Sequence, residues 1–563
     1  MDEPASPQPF RGALVPLVAL CLAPFFAIQL KSYDLWWHLA TGRWMVEHGT
    51  LPTTDPFTYT MAGQPWQLVN GISDLVLYGF YQLGGAPGLV LCKVIFAWLT
   101  LTLVGLGLRS LRISRSIVVA LLVLAAVLVQ ARYSVARPMI FGASLIAAAN
   151  WVVLRCQGRP DRSLLFFLVA LPVWPLVHGT ALVGLMQLGA LYVAVWLGGV
   201  SRRRQRGVEV VLACCLVLSV ALPWWRDLYR VAMGLDQGAT AMQLTAEWRT
   251  GLESLGDRVG HWAVIVGGLI GGGLHARRQP LPLLLALSGA LLAQRYGRNA
   301  YEGVLLALPG FGLGLQFVAA AMRARGKLLL AVATAPLLAA AIGLVQLTLS
   351  PRRTVNTPFG LGVVRERFPY DTLDTLEQLP AGRLIHGFAI GGFLIWNDGP
   401  WGVYCDGRTV ALYRESDVER LFAPLLESAE SLTAAADHWQ APYGLTQHGS
   451  HPNQWMMVSP EWVPIHLGLG TSLFVRRTSL GVLPPTVRPL HLLRYTTVTD
   501  WTVGWYRGIL ADPALRAQLR AQVVAAAQRG PHSPMLDRIL RVVGQLAPQW
   551  GDELAAIVRQ ARQ

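Results

Sequence analysis

Charge is scarce in this chain. Only 14% of its 563 residues are Asp, Glu, Lys or Arg, against about 25% in soluble domains, which excludes an ordinary soluble fold. Acids are the scarcer sign: 32 Asp and Glu stand against 47 Lys and Arg, a formal net charge of +15. In a soluble protein that excess would point to nucleic acid. Here the arginines fall in short loops between apolar runs, so they read as topology signals and nucleic acid is not expected as a partner. Cysteine is also sparse, at six. Cys21, Cys92, Cys214 and Cys215 lie in or beside apolar runs and Cys156 in a basic loop; Cys405 alone lies in the large polar region, so neither a structural disulfide nor a thiolate zinc site is expected. No nucleotide-binding glycine loop is present, and His386, His448, His451 and His466 lack the spacing of a zinc site.

What the chain has in quantity is apolar runs. A bilayer span needs about 20 mostly apolar residues. Candidates lie near 12 to 30, 87 to 108, 116 to 131, 138 to 154, 164 to 177, 180 to 198, 208 to 223, 259 to 274, 281 to 293, 300 to 320 and 328 to 349, about eleven spans in all. Basic clusters at Arg109/Arg112/Arg115, Arg155/Arg159/Arg162, Arg202–Arg204 with Arg206, Arg277/Arg278 and Arg323/Arg325/Lys327 all fall on one side under that count. Positive loops collect on the cytoplasmic face, which puts the N-terminus there and residues 31 to 86 and the C-terminal region on the outer face. The first run lacks a small-residue cleavage pattern, so it reads as a retained helix.

The expected fold is an α-helical polytopic membrane protein over 1–350, with a first outer loop at 31–86. A mixed α/β extracytoplasmic domain follows over 351–504 and a helical tail over 505–563. In the α/β region, GGFLIWNDGPWGVYCDGRTV and WMMVSPEWVPIHLGLGTSLFVRR alternate β-type residues with turn signals and read as strands. The tail, as in DPALRAQLRAQVVAAAQRG, has helical spacing.

The segment SYDLWWHLATGRW (32 to 44) follows the first span directly. Its indoles at helical spacing predict an interfacial helix lying flat among headgroups. Asp34 and His38 are four apart and share a face. Asp55-Pro56 begins a turn. His178, in PLVHGTALVG, stands between two apolar runs, where an ionisable group either lines a cavity or is bonded within a helix turn. Arg137, Arg295 and Arg298 stand at outer span ends, as does Arg132, and are read either as phosphate ligands or as snorkelling anchors. Glu247, in the outer loop, is a further acid. Asp406-Gly407-Arg408 reads as a structural turn at a strand end.

The run DLWWHLATGRWMVEHGTLPTTDPFTYT, with GQPW and a helix ending in LGG after it, resembles bacterial multi-spanning proteins built like glycosyltransferases of the GT-C class. RPMIFG (137 to 142), HGTALVGL (178 to 185), AEW (246 to 248), RYGRNA (295 to 300), GGFLIW (391 to 396) and DGR (406 to 408) extend the likeness along nearly the whole chain. The resemblance implies a transferase of the bacterial inner membrane that takes sugar from a polyprenyl-phosphate donor on the outer side and passes it to a glycan, lipid or protein acceptor. It also implies that Asp34 is the essential acid of the first outer loop and Asp55 a second one. Chemically, such transfer needs a base for the acceptor hydroxyl and a positive partner for the phosphate, and a carboxylate can also hold a divalent cation. The chain departs from the pattern at Asn70, where relatives have an acid, though Asp74 lies one helical turn on. Leu176 stands where an asparagine often precedes the histidine. These departures leave open a non-catalytic component that binds or translocates a lipid-linked glycan.

Overall fold

In the computed structural model, residues 13–233, 258–325 and 358–563 are described, and they fall into two compact units. The first comprises 1–30, 41–51 and 67–363; the second comprises 31–40, 52–66 and 364–563. Lys31–Ala40 and Pro52–Trp66, which the sequence analysis assigned with the membrane domain, thus pack within the C-terminal unit.

The first unit is helical. Its elements are α1 (Leu14–Leu22), the greater part of α2 (Asp34–His48), α3 (Gly71–Ser110), α4 (Arg115–Tyr133), α5 (Met139–Cys156), α6 (Leu165–Val173), α7 (Ala181–Leu197), α8 (Arg202–Ala221), α9 (Pro223–Met233), α10 (Val259–His275), α11 (Leu281–Arg295) and α12 (Ala300–Arg325). Helices stand at each apolar run from 12 to 320; the run at 328 to 349 lies outside the described residues. Among the described residues three stretches, Gly71–Ser110, Met139–Cys156 and Gly297–Met322, are long and apolar enough to cross a bilayer. A fourth arises if α8 and α9, bent by 81°, form one broken span.

Glycine shapes this unit at two places. Gly84 and Gly85 interrupt α3, and the φ of +56° at Gly85 is one that a side chain resists, so the short first helix and the following apolar run meet at a break. Where α10 meets α12, a Cβ on Gly310 would overlap the Gly268 carbonyl, so the contact requires residues without side chains.

The second unit is built on a mixed five-stranded sheet, β1 (Gly382–His386), β2 (Trp401–Gly402), β3 (Tyr443–Gln447), β4 (Trp462–Leu467) and β5 (Thr471–Arg476), in the order β2-β1-β3-β5-β4. β1 pairs parallel with β2 and β3, and β5 antiparallel with β3 and β4. The β4–β5 hairpin falls in the stretch read as strands, and four helices, Thr499–Ala511, Pro513–Arg529, Pro534–Leu546 and Pro548–Ala561, occupy the tail.

Two local readings are corrected. GGFLIW is not a strand: Gly391–Asn397 is a helix with Phe393, Leu394 and Ile395 buried. An all-round apolar run of this length suits a buried helix as well as a buried strand. Its glycines decide the packing, since a Cβ on Gly391 would overlap the Cys405 carbonyl and one on Gly392 would lie 3.0 Å from the Tyr33 carbonyl. Met456 and Met457 likewise belong to the helix His451–Val458.

The second correction concerns the indoles. Trp36 and Trp37 are 3% and 8% exposed. Trp36 packs against Phe368, Phe393 and Tyr370 with ring centroids 5.3, 5.5 and 6.3 Å away, all near perpendicular. These rings belong to the C-terminal unit, so Trp36 and Trp37 are buried in protein and are not headgroup anchors. The amphipathic spacing was real, but the apolar face meets protein aromatics, whose edge-to-face contacts outweigh an interfacial position.

Candidate functional site

The start of α2 and the turn after β2 form one cluster inside the second unit. Residues 53 to 66 fold as a small loop closed by Trp66 N–H to the Thr53 carbonyl, 2.9 Å, and attached to the sheet region by Tyr59 N–H to the Val403 carbonyl, 3.1 Å. Within it Asp55 Oδ1 accepts from the Phe57 amide (3.0 Å) and Oδ2 from the Thr58 amide (3.2 Å) and the Thr58 hydroxyl. This is the Asx-turn habit of an Asp before proline. The same carboxylate meets Arg408 Nη1 at 2.7 Å.

Arg408 is the centre of the cluster. Its Nε and Nη2 donate to Asp406 Oδ1 and Oδ2 at 2.8 and 2.6 Å, a fork-to-fork pair, and its own amide donates to Asp406 Oδ1 at 2.9 Å. The guanidinium stands 4.6 Å from the Trp66 ring centroid and 5.1 Å from that of Phe57. The side chains of Arg408, Asp55 and Asp406 have no exposure in these pairs. Burial alone would lower the Arg408 pKa, but the facing Asp406 and Asp55 carboxylates raise it above its ordinary value, so the charge is locked on. The Tyr413 hydroxyl accepts from the Asp406 amide at 3.0 Å, and burial, with Asp406 beside it, keeps that phenol protonated.

Asp34 lies over this turn. A Cβ on Gly407 would overlap Asp34 Oδ1 and stand 3.1 Å from Trp37 Nε1. Only glycine leaves room for the carboxylate, so the three letters Asp-Gly-Arg have separate duties: bracing Arg408, admitting Asp34 and gripping Asp55. Asp34 itself is half-buried, unlike the other two acids. His38 is 2% exposed and packs on Trp37, with centroids 3.6 Å apart.

The remaining sequence candidates lie in the helical unit. Asn70 is the residue that precedes α3, and its side chain makes no capping bond. Asp74, one turn on, is fully buried. His178 Nδ1 accepts from the Thr180 amide at 3.3 Å and pairs with the Thr180 hydroxyl at 3.1 Å. A Cβ on Gly142 would stand 2.7 Å from His178 Nδ1, so RPMIFG and HGTA are packed together. Arg137 and Arg298 are half-buried; Arg295 is exposed, 5.5 Å from the Tyr296 ring centroid. Glu247 lies outside the described residues.

Glu302 was missed by the sequence analysis. It is 6% exposed and pairs with Arg132 at 2.5 Å. The neighbouring Tyr301 ring has Arg132 at 5.2 Å and Arg258 at 4.9 Å. A lone Glu in the apolar run 300 to 320, where an unpaired acid would be costly, was the available signal.

A divalent cation does not fit between Asp55 and Asp406. Asp55 and Asp406 already face a guanidinium, and a metal there would oppose that charge. Among the described residues no three His, Cys, Asp or Glu side chains form a group able to hold one.

The fold is similar to that of an oligosaccharyltransferase. One match is the apo Archaeoglobus fulgidus enzyme, with a TM-score of 0.51, 12% identity, and coverage of 86% of this chain and 76% of that one. No protein-family model matches the chain, and no curated relative matches it in sequence.

Proposed function

We propose that this is a membrane glycosyltransferase that moves a sugar from a polyprenyl-phosphate-linked donor to an extracytoplasmic acceptor, with Asp34 as the catalytic base. The observation that carries the reading is the half-buried Asp34 carboxylate seated over Gly407, beside two acids that are neutralised by Arg408. A fold similar to that of an oligosaccharyltransferase supports it.

In this reading Asp34 takes the proton of the acceptor hydroxyl as that oxygen attacks the anomeric carbon and the lipid phosphate departs. Asp55, Asp406 and Arg408 are positioning residues: their mutual pairing holds the turn on which Asp34 rests. Arg137, Arg295, Arg298 and His178, all in the helical unit, are the proposed phosphate ligands, since a guanidinium matches phosphate oxygens. Asn70 would bond a sugar hydroxyl. His38 would support the indole that borders Asp34. About eleven spans, an outer-facing C-terminal unit and an inner-membrane location complete the proposal.

A second reading, a non-catalytic component that binds or translocates a lipid-linked glycan, is favoured by one observation: Asn70 stands where an acid is expected. The two separate in a labelled-donor transfer assay on the purified chain. Sugar transfer that disappears in Asp34→Asn supports the enzyme; donor binding without transfer in the wild type supports the binder.

A further inference from the structure

We propose that a groove between α1, α3 and α4 binds one acyl chain of an anionic phospholipid, with the lipid phosphate held by Arg109 and Arg115. The hollow measures about 160 Å³ and is bordered by Val15 and Val18 of α1, Leu106 of α3 and Leu122 of α4, with Arg109 and Arg115 at its rim. It lies within the helical unit and is independent of the proposed transfer reaction.

Size selects a single hydrocarbon chain. A dry apolar cavity of about 150 Å³ accommodates benzene, so this one takes a segment of a single hydrocarbon chain. Its length is set by the helices: from Arg115 to Leu122 is seven residues, about 10 Å of rise. At the level of Gly105, where a Cβ would stand 2.5 Å from Val15 Cγ1, α1 and α3 are in contact.

Charge selects the headgroup. Both arginines are exposed, no acid borders the groove among the described residues, and the connecting stretch 109 to 115 carries a third arginine, Arg112, and no acid. Arg109 Nη1 donates to the Ile113 carbonyl at 2.6 Å, which fixes the arm at the rim. A guanidinium has five N–H donors, so one bond leaves others to meet an oxyanion. A zwitterionic headgroup carries no net charge to set against the two guanidiniums. A free phosphate would leave the apolar hollow empty. Anionic lipid satisfies both halves of the site.

The test is native mass spectrometry of the full chain in detergent, offered phosphatidylglycerol or phosphatidylcholine with identical acyl chains. The expected result is one retained phosphatidylglycerol, favoured over phosphatidylcholine by about 10-fold or more. Arg109→Gln/Arg115→Gln should bring the two lipids to parity, and Val18→Trp, which fills the hollow, should remove the retained lipid. A measurement on the unaltered protein does not depend on the variants folding: phosphatidylglycerol with a photoreactive acyl chain should cross-link to 14–18, 106 and 118–122. Equal retention of the two lipids by the wild type, an unchanged preference in the double variant, or cross-links confined to other helices would overturn the proposal.

Discussion

Arg408 binds Asp55 across 2.7 Å, tying the turn after β2 to a loop near the start of the chain, and neither side chain reaches solvent. A buried pair of this kind adds little over well-packed apolar residues, but removing one partner leaves a bare charge behind. Arg408→Met should therefore cost about 3–5 kcal/mol, since it strands both Asp55 and Asp406. Hydrogen exchange should show lost protection in 53 to 66 and 401 to 413. Adding Asp55→Asn and Asp406→Asn to Arg408→Met should recover part of that loss; no recovery would show that the charges are not the cause.

Gly407→Ala separates positioning from stability. The added methyl must displace the Asp34 carboxylate, while the Arg408 pairs, formed by its neighbours, need not break. A misplacement of about 1 Å at a reacting group can cost about 100-fold in rate. Transfer should fall by that order with the thermal midpoint nearly unchanged. A variant as active as the wild type would mean that Asp34 need not sit where it does.

His386 gives the C-terminal unit a pH dependence. Its Nε2 accepts from the Tyr404 amide at 2.9 Å and its Nδ1–H donates to the Gly387 carbonyl at 3.0 Å, a network that requires the neutral ring. Burial pulls its pKa down to about 4, and burial does the same for His448. The unfolded chain, with a histidine near 6.5, then binds more protons than the folded one between pH 6.5 and 4. Stability is full above about 6.5 and falls as the pH drops toward 4, by up to about 3 kcal/mol for His386. Protection of the Tyr404 amide, corrected for the intrinsic exchange rate, should decline over that window. Flat protection would contradict the assignment.

Trp36→Ala distinguishes a core residue from a headgroup anchor. Truncating an aromatic in a packed core costs about 3–5 kcal/mol. The thermal midpoint should fall markedly, while reconstitution into liposomes should proceed as for the wild type if the protein partly survives. A stable variant with impaired reconstitution would restore the interfacial reading.

Much of the architecture was legible in the letters because helix in lipid is dictated by run length and strand by alternation near turns. Helices from Leu14 to Arg325 lie close to the apolar runs, and the β4–β5 hairpin coincides with its alternating stretch. GGFLIW was misread because six consecutive apolar or glycine residues carry no period, and only contact with Cys405 and Tyr33 settles their form. The burial of Trp36 was equally invisible, since its partners Phe368 and Phe393 lie more than three hundred residues away. Asp34 and Asp55 stood out as acids in a chain poor in them. Their different surroundings did not: Asp406 and Arg408 read as an ordinary turn until the loop at 52 to 66 came to rest on them.

The central claim is that Asp34 removes a proton during sugar transfer, and the direct measurement is the transfer rate of Asp34→Asn with a radiolabelled polyprenyl-phosphate sugar. The amide keeps the size of the side chain and loses only the ability to accept the proton, so donor affinity should be retained while turnover drops by about 100-fold or more. Turnover at the wild-type rate by this variant would contradict the account.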